Sequence, residues 1–330
     1  MSLPAQFDAF RIHNDDASYR SGIEQIVIND LADGEVDIRV AHSSVNFKDA
    51  LAGTGKGKIL RRFPLVGGID VAGHVVASRD AKFKEGDAVL VTGSGLSETR
   101  DGGYSQYARI ESRWAIPLPQ GLTLRESMIL GTAGFTAALA LLRMHENRQV
   151  PELGPLAVTG ATGGVGSLAV DIFSSAGFEV HAISGKAEHA DYLKSIGASE
   201  VLGRDALATT RPMESARFGG GLDNVGGPML VSLLAQTTPY GNVASAGLAA
   251  SADLGATVMP FIIRGVSLLG VASAGTARDI REQVWQHLAS DWKPRHLDAI
   301  CKREVALSEL PATFDTMLTG GSLGRTLVTL

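Results

Sequence analysis

Apolar and polar positions along the chain divide it into two textures. Residues 23–28 and 36–40 are strand-like runs on either side of the Asp33–Gly34 turn signal. Residues 71–77 and 88–92 continue the pattern, the second introduced by Lys84, Glu85, Gly86 and Asp87. The first third therefore reads as an antiparallel β domain. From Thr123 the pattern changes: Thr123 and Glu126 have the spacing of a capping box, and residues 135–144 form an apolar, alanine-rich helix. Residues 156–158 then predict a strand. Leu168, Ala169, Ile172 and Phe173 recur at helical spacing until Gly177, and residues 178–183 are a second strand. Residues 200–202, 222–225, 242–246 and 267–271 read as further strands, with helical patterns between the later ones. The chain ends on a helix over residues 311–318 and a strand over 326–330.

The turn inside the strand–helix–strand unit carries the first chemistry. Residues 159–166 read TGATGGVG, and Gly160, Gly163 and Gly166 stand between the strand and the helix. In such a turn the first glycine allows the tight bend, the middle one lets backbone N–H groups approach a pyrophosphate, and the last lets helix pack on strand. The cradle comprises Gly160, Ala161, Thr162, Gly163, Gly164, Val165 and Gly166. An NAD site usually places Asp or Glu roughly 20 residues beyond the loop, to accept from the ribose 2′-hydroxyl. Here that place holds Ser184, Gly185 and Lys186. A hydroxyl, a glycine and a cation suit a 2′-phosphate, so NADPH is expected over NADH. Arg204 is either a second cation for that phosphate or a solvated loop charge.

Composition narrows the class. The 330 residues suffice for two domains, and 45% hydrophobic residues with 39 glycines fit a glycine-rich α/β protein. A net charge of −5 without long charged blocks argues against nucleic acid or a membrane surface as partner. The single cysteine, Cys301, forms no intramolecular disulfide and fits a reducing compartment. The N-terminus has no apolar signal core, and the apolar run at residues 137–142 is too short to cross a bilayer, so a cytoplasmic protein is expected.

Eight segments in order carry a resemblance over nearly the whole chain. They are SSVNFKDAL (43–51), TGKGKI (54–59), FPLVGGIDVAG (63–73), GTAGFTA (131–137), TGATGGVG (159–166), YLKSIGAS (192–199), VMPFIIR (258–264) and GRTLV (324–328). The chain resembles the medium-chain dehydrogenase/reductase superfamily, in the quinone-oxidoreductase-like branch that contains acryloyl-CoA reductase. The resemblance implies a GroES-like catalytic domain over residues 1–125 and 275–330, with a substrate cleft against a Rossmann NADP-binding domain over residues 126–274. The fold class is thus α/β, a GroES-like β domain plus a doubly wound parallel sheet.

The superfamily includes zinc alcohol dehydrogenases, and the residues decide against that chemistry. Where those enzymes carry their cysteine–histidine ligand pair this chain has Asn46 and Phe47, and Ile69 and Asp70 stand in place of the histidine–glutamate pair. One cysteine cannot build a four-cysteine structural lobe. His42 and His74 read as structural histidines, and no metal is expected. Without zinc, the expected chemistry is hydride addition from NADPH to the β-carbon of an alkene activated by a carbonyl, with protonation at the α-carbon. Asn46 is the candidate donor or positioning group, or else a turn-capping asparagine. Relatives often have tyrosine where Phe47 stands, so Phe47 is assigned packing against nicotinamide or substrate, and water is left as a proton donor. Tyr104 and Tyr107 are alternative donors or core residues.

Lys56, Lys58, Arg61 and Arg62 form the densest basic cluster, which either solvates a loop or receives the phosphates of a CoA thioester. Arg325 lines the same cleft or pairs with a carboxylate. The resemblance further implies that Gly247, Leu248, Ile262 and Ser273 flank the nicotinamide, and that the chain forms a homodimer. Three readings follow: an NADPH-dependent acryloyl-CoA reductase, a broader quinone or enone reductase, and a non-catalytic NADPH-binding protein like the lens crystallins of this branch.

Overall fold

The computed structural model describes residues 4–15 and 18–330. The chain divides into two compact units. The first comprises Met1–Thr132, Ala274–Glu282 and Cys301–Leu330, and the second Ala133–Ser273 and Gln283–Ile300.

Two sheets build the first unit. In the larger, the strands run in the order Cys301–Val305, Arg325–Thr329, Val36–Ser44, Asp70–Ser78, Ala88–Thr92 and Ile116–Pro117, and Tyr107–Ile110 also pairs with Val36–Ser44. All pairings are antiparallel except that of the two C-terminal strands. Val36, Ile38 and Val40 send alternate side chains into a core shared with Val71, Val75, Val89 and Val91. The smaller sheet places Phe7–Asp15 between Ser18–Ile26 and Leu65–Val66. Phe7, Phe10, Tyr104 and Phe314 fill the core beneath it.

Sequence and structure differ at Gly34. The strand expected at residues 23–28 is Ser18–Ile26, and it pairs with Phe7–Asp15 rather than with Val36–Ser44. Asp33–Gly34 is therefore no hairpin turn. A β-carbon on Gly34 would stand 2.5 Å from the Ile110 carbonyl carbon, so glycine is required for close backbone approach.

The second unit is a parallel sheet of six strands. Their order is Glu200–Leu202, Val180–Ile183, Leu156–Thr159, Phe218–Asp223, Thr237–Ser245 and Ser267–Gly270. This is the doubly wound order, and it reverses direction between Leu156–Thr159 and Phe218–Asp223, where such sheets bind ligands at their carboxyl ends. The apolar helix is longer than residues 135–144: it spans Leu124–Glu146, with a break at Gly131 (φ 50°, ψ −154°). Its length and composition suit a membrane span, yet 89% of its most apolar window is buried, as in a core helix. Residues 283–300 belong to the second unit, where the buried Trp285 stacks on Phe135.

Candidate functional site

The glycine turn follows directly from the Leu156–Thr159 strand. Gly160 takes φ +60°, and the helix Gly164–Ser175 begins after Gly163, its N-cap. Gly163 has no side chain to cap the first turn, so the leading N–H groups face outward at the partly positive helix end. A β-carbon on Gly166 would lie 2.3 Å from the Gly160 carbonyl oxygen and 2.7 Å from Ala161 Cα. Only glycine lets this helix start so close to the turn. Ala161 and Thr162 are buried beneath it, whereas Gly163, Gly164 and Val165 are partly exposed. These features fit a dinucleotide pyrophosphate.

The end of Val180–Ile183 brings four of the expected residues together. Ser184 Oγ accepts from the Lys186 N–H at 3.1 Å. The Arg204 guanidinium lies across Gly185: a β-carbon there would stand 2.4 Å from Nε and 2.8 Å from Cζ. Glycine at 185 thus makes the berth that Arg204 occupies. The sequence had left Arg204 between two roles, and its placement beside Ser184 and Lys186 fits a 2′-phosphate.

The sequence reading overlooked what braces this edge. Thr159 Oγ1 donates to Asp223 Oδ1 at 2.8 Å and accepts from the Asn224 N–H at 2.9 Å, while Asn224 Nδ2 donates to the Thr159 carbonyl at 2.8 Å. The signal was present, since Asp223 and Asn224 are polar residues closing an apolar strand. A β-carbon on Gly247 would fall 2.4 Å from the Asn224 carbonyl oxygen, so Gly247 packs on the same edge. Leu248 is exposed. Ile262 lies on the helix Met259–Arg264 and is 77% exposed, and Ser273 opens the short turn Ser273–Gly275.

In the first unit, the helix Phe47–Thr54 starts from a buried polar network. Asn46 is its N-cap. Asn46 Nδ2 donates to Asp49 Oδ2 (3.1 Å) and Asp70 Oδ2 (2.8 Å), and its Oδ1 accepts from Arg325 Nη1 (3.1 Å). Asp70, fully buried, also accepts from Ser44 Oγ (2.6 Å), Thr132 Oγ1 (2.6 Å) and the Thr132 N–H (3.0 Å). The Asn46 amide is fully engaged, so it holds the helix start rather than offering a free donor. Phe47, the first helical residue, is 53% exposed. Arg325 does not present a face to a CoA phosphate. It is buried and donates to Ile129 O (2.8 Å), Val45 O (3.0 Å), Asn46 Oδ1 and Ser44 Oγ (2.7 Å). Tyr104 is buried too, its hydroxyl 3.1 Å from the Ser44 carbonyl. Tyr107 is half-buried.

Asp49 is the titrating member of this network. Burial first, then the Asp70 carboxylate, raises its pKa from 3.8 to about 7, against hydrogen bonds from the Asn46 N–H, the Asn46 side chain and the Ile69 N–H. The folded state therefore holds this proton more tightly than the unfolded chain. The associated stability is complete below about pH 4 and is lost as pH rises to about 7, at most about 4 kcal/mol in all. Asp49→Asn should flatten that part of the dependence. Urea melts between pH 4.5 and 8 check it: an unchanged slope in the variant would remove Asp49 from the explanation.

The basic cluster stands just past the same helix, which ends at Gly55 (φ 71°). Lys56, Lys58, Arg61 and Arg62 are all exposed. Arg62 is 3.7 Å from Asp101 and Lys48 pairs with Glu98, whereas Lys56, Lys58 and Arg61 form no ion pair among the described residues. His42 and His74 are apart from any metal-ligating group: among the described residues no three His, Cys, Asp or Glu side chains are grouped to hold a metal ion.

Comparison with known proteins agrees with this picture. The alcohol dehydrogenase GroES-like domain family matches residues 32–120, and the zinc-binding dehydrogenase family matches residues 164–290. The putative quinone oxidoreductase YhfP of Bacillus subtilis is 46% identical over 93% of this chain and 94% of its own length. A crystal structure of B. subtilis yhfP with NAD bound superposes with a TM-score of 0.96 at 43% identity, covering 99% of this chain and all of that one. The probable acrylyl-CoA reductase AcuI of Escherichia coli is 43% identical over 97% of this chain and 98% of its own. The yhdH oxidoreductase of Salmonella enterica, in complex with NADP, superposes with a TM-score of 0.94 at 41% identity, covering 98% and 99% of the two chains.

Proposed function

The chain belongs to the medium-chain dehydrogenase/reductase superfamily, as an oxidoreductase of its quinone-oxidoreductase-like branch, and we propose that it is a zinc-free NADPH-dependent reductase that converts acryloyl-CoA to propanoyl-CoA. The observation that carries the cofactor reading is Arg204 lying across Gly185 beside Ser184 and Lys186, with no carboxylate at residues 184–186. Its relatives include structures with NADP and with NAD bound, so the residues of this chain decide the matter. Residues 160–166 and the helix start behind them would hold the pyrophosphate, and Gly247 and Leu248 would flank the nicotinamide, with Ile262 and Ser273 on its other side.

NADPH, when bound, supplies the hydride that adds to the β-carbon of the acryloyl group. The task of the chain is to bind and orient. Asn46, fixed by Asp49, Asp70 and Arg325, sets the start of its helix and so presents Phe47 as a flat apolar surface for nicotinamide or substrate. Phe47 has no proton to give, Tyr104 is buried against Ser44, and Arg325 is spent within the network, which leaves water or the half-buried Tyr107 to deliver the proton to the α-carbon. Lys56, Lys58, Arg61 and Arg62 receive the CoA phosphates, and the absence of ion pairs at the first three among the described residues supports that role.

Loss of NADPH absorbance with acryloyl-CoA, beside free acrylate, crotonyl-CoA and a simple quinone, tests the assignment. Rapid oxidation with acryloyl-CoA supports it, and turnover with the quinone alone overturns it. The triple change Lys56→Ala, Lys58→Ala, Arg61→Ala should raise KM for acryloyl-CoA about tenfold or more and leave a small enone unaffected. Equal responses would return the cluster to a solvated loop.

A homodimer is the corresponding assembly. Val258, Met259, Ile262 and Ile263 are exposed apolar residues, and Ser267–Gly270 is the outer strand of the parallel sheet. Sedimentation showing a monomer at assay concentration would refute it. We place the enzyme in the cytoplasm, on its single half-buried cysteine, and cell fractionation checks that location.

A further inference from the structure

We propose that the buried carboxylate of Asp223 makes the bound cofactor a stronger hydride donor by favouring its oxidised, cationic nicotinamide. The inference rests on the dinucleotide reading above.

The order of strands supplies the placement. Val180–Ile183 carries Ser184, Gly185 and Lys186, its neighbour Leu156–Thr159 carries the glycine turn, and the next strand is Phe218–Asp223. A dinucleotide with its 2′-phosphate at the first and its pyrophosphate at the second extends its remaining half over the third and over Thr237–Ser245. Asp223 ends that third strand. It is fully buried, and no cation among the described residues acts on its charge. Thr159 Oγ1 at 2.8 Å, the Gly226 N–H at 2.6 Å and the Val225 N–H satisfy its oxygens.

These donors hydrogen-bond the carboxylate without supplying a compensating charge. Burial raises the Asp223 pKa, against the hydrogen bonds from Thr159, Gly226 and Val225. An uncompensated negative charge at the floor of a polyanion site costs binding energy in either redox state. It returns part of that cost in one state only, because the oxidised nicotinamide ring is positive and the reduced ring is neutral. Bracing the turn uses both carboxylate oxygens, since Thr159 Oγ1 donates to Oδ1 and the Gly226 N–H to Oδ2. The charge that comes with this double acceptor also favours the positive ring.

The test is the ratio of two affinities. Kd for NADP⁺ and for NADPH is measured by fluorescence titration for the wild type, Asp223→Asn and Asp223→Ser, the serine leaving room for water to take up the freed donors. Asn224→Ala, which removes the brace to the Thr159 carbonyl and leaves the three donors on Asp223 in place, is the control. Both Asp223 variants should lose NADP⁺ affinity relative to NADPH by about tenfold, the scale of a single charge–charge interaction at an effective dielectric constant near 20. Asn224→Ala should leave the ratio unchanged. Equal weakening of both forms in the Asp223 variants overturns the proposal and leaves Asp223 as a brace. A wild type that binds neither form, nor NAD⁺ or NADH, overturns the dinucleotide reading itself, so the two failures are distinct.

Discussion

Gly185→Asp should lower kcat/KM for NADPH by about 100- to 1000-fold while leaving NADH at least as effective as in the wild type. Two effects add. A side chain at 185 occupies the berth of the Arg204 guanidinium, whose Nε would be 2.4 Å from the new β-carbon, so Arg204 is displaced. Loss of its charge-assisted contact with a 2′-phosphate is worth about 1.5–3 kcal/mol. The new carboxylate then repels a group carrying about −1.5 to −2 charges. For NADH the same carboxylate is an acceptor for the ribose 2′-hydroxyl. Lys186→Ala removes one cation without adding repulsion and should weaken NADPH selectively by a smaller factor. Steady-state kinetics with both cofactors decide: parallel losses for NADPH and NADH, or a retained NADPH preference in Gly185→Asp, would show that the 2′-phosphate is held elsewhere.

That prediction depends on a contact the sequence did not contain. The glycines, the strand before them and the helix after them are local, and local spacing was enough to place the turn at residues 160–166 and the strands around it. Arg204 and Gly185 meet only because Val180–Ile183 and Glu200–Leu202 pair in parallel, with Ile183 opposite Leu202. A separation of this kind has no period to read. Gly34 failed for the same reason: its turn-like dipeptide serves a close approach to Ile110 from a distant strand. Phe7–Asp15 was missed because Ala9 and Phe10 are adjacent and both buried, which breaks strict alternation. Zinc-free chemistry was legible residue by residue, because the metal-binding residue types are replaced at Asn46, Phe47 and Ile69. What the sequence withheld was the use made of Asn46, Asp49, Asp70 and Arg325, which come from three separate segments.

Arg325→Met should destabilise the first unit by about 3–5 kcal/mol, the cost of leaving buried carboxylates without their cation. Methionine replaces the aliphatic stem of the side chain but abandons the Ile129 and Val45 carbonyls, the Ser44 hydroxyl and Asn46 Oδ1. Asp70 and Asp49, the carboxylates that act on the Arg325 guanidinium, would then repel each other in a fully buried site. Arg325→Lys keeps the charge yet cannot reach four acceptors at once, so its cost should be intermediate. Hydrogen exchange locates the effect: amides of Phe47–Thr54 should lose protection, while those of Leu156–Thr159 keep theirs. The dependence on pH separates charge from packing. Asp49 carries its proton below about pH 7, so one of the two repelling charges is absent there, and the variant should be less destabilised at pH 5 than at pH 8. A penalty that is the same at both pH values would mean that Arg325 acts through its carbonyl contacts alone. The seat of Asn46 and Phe47 would then be a matter of hydrogen-bond geometry, with no electrostatic component for solvent pH to reach.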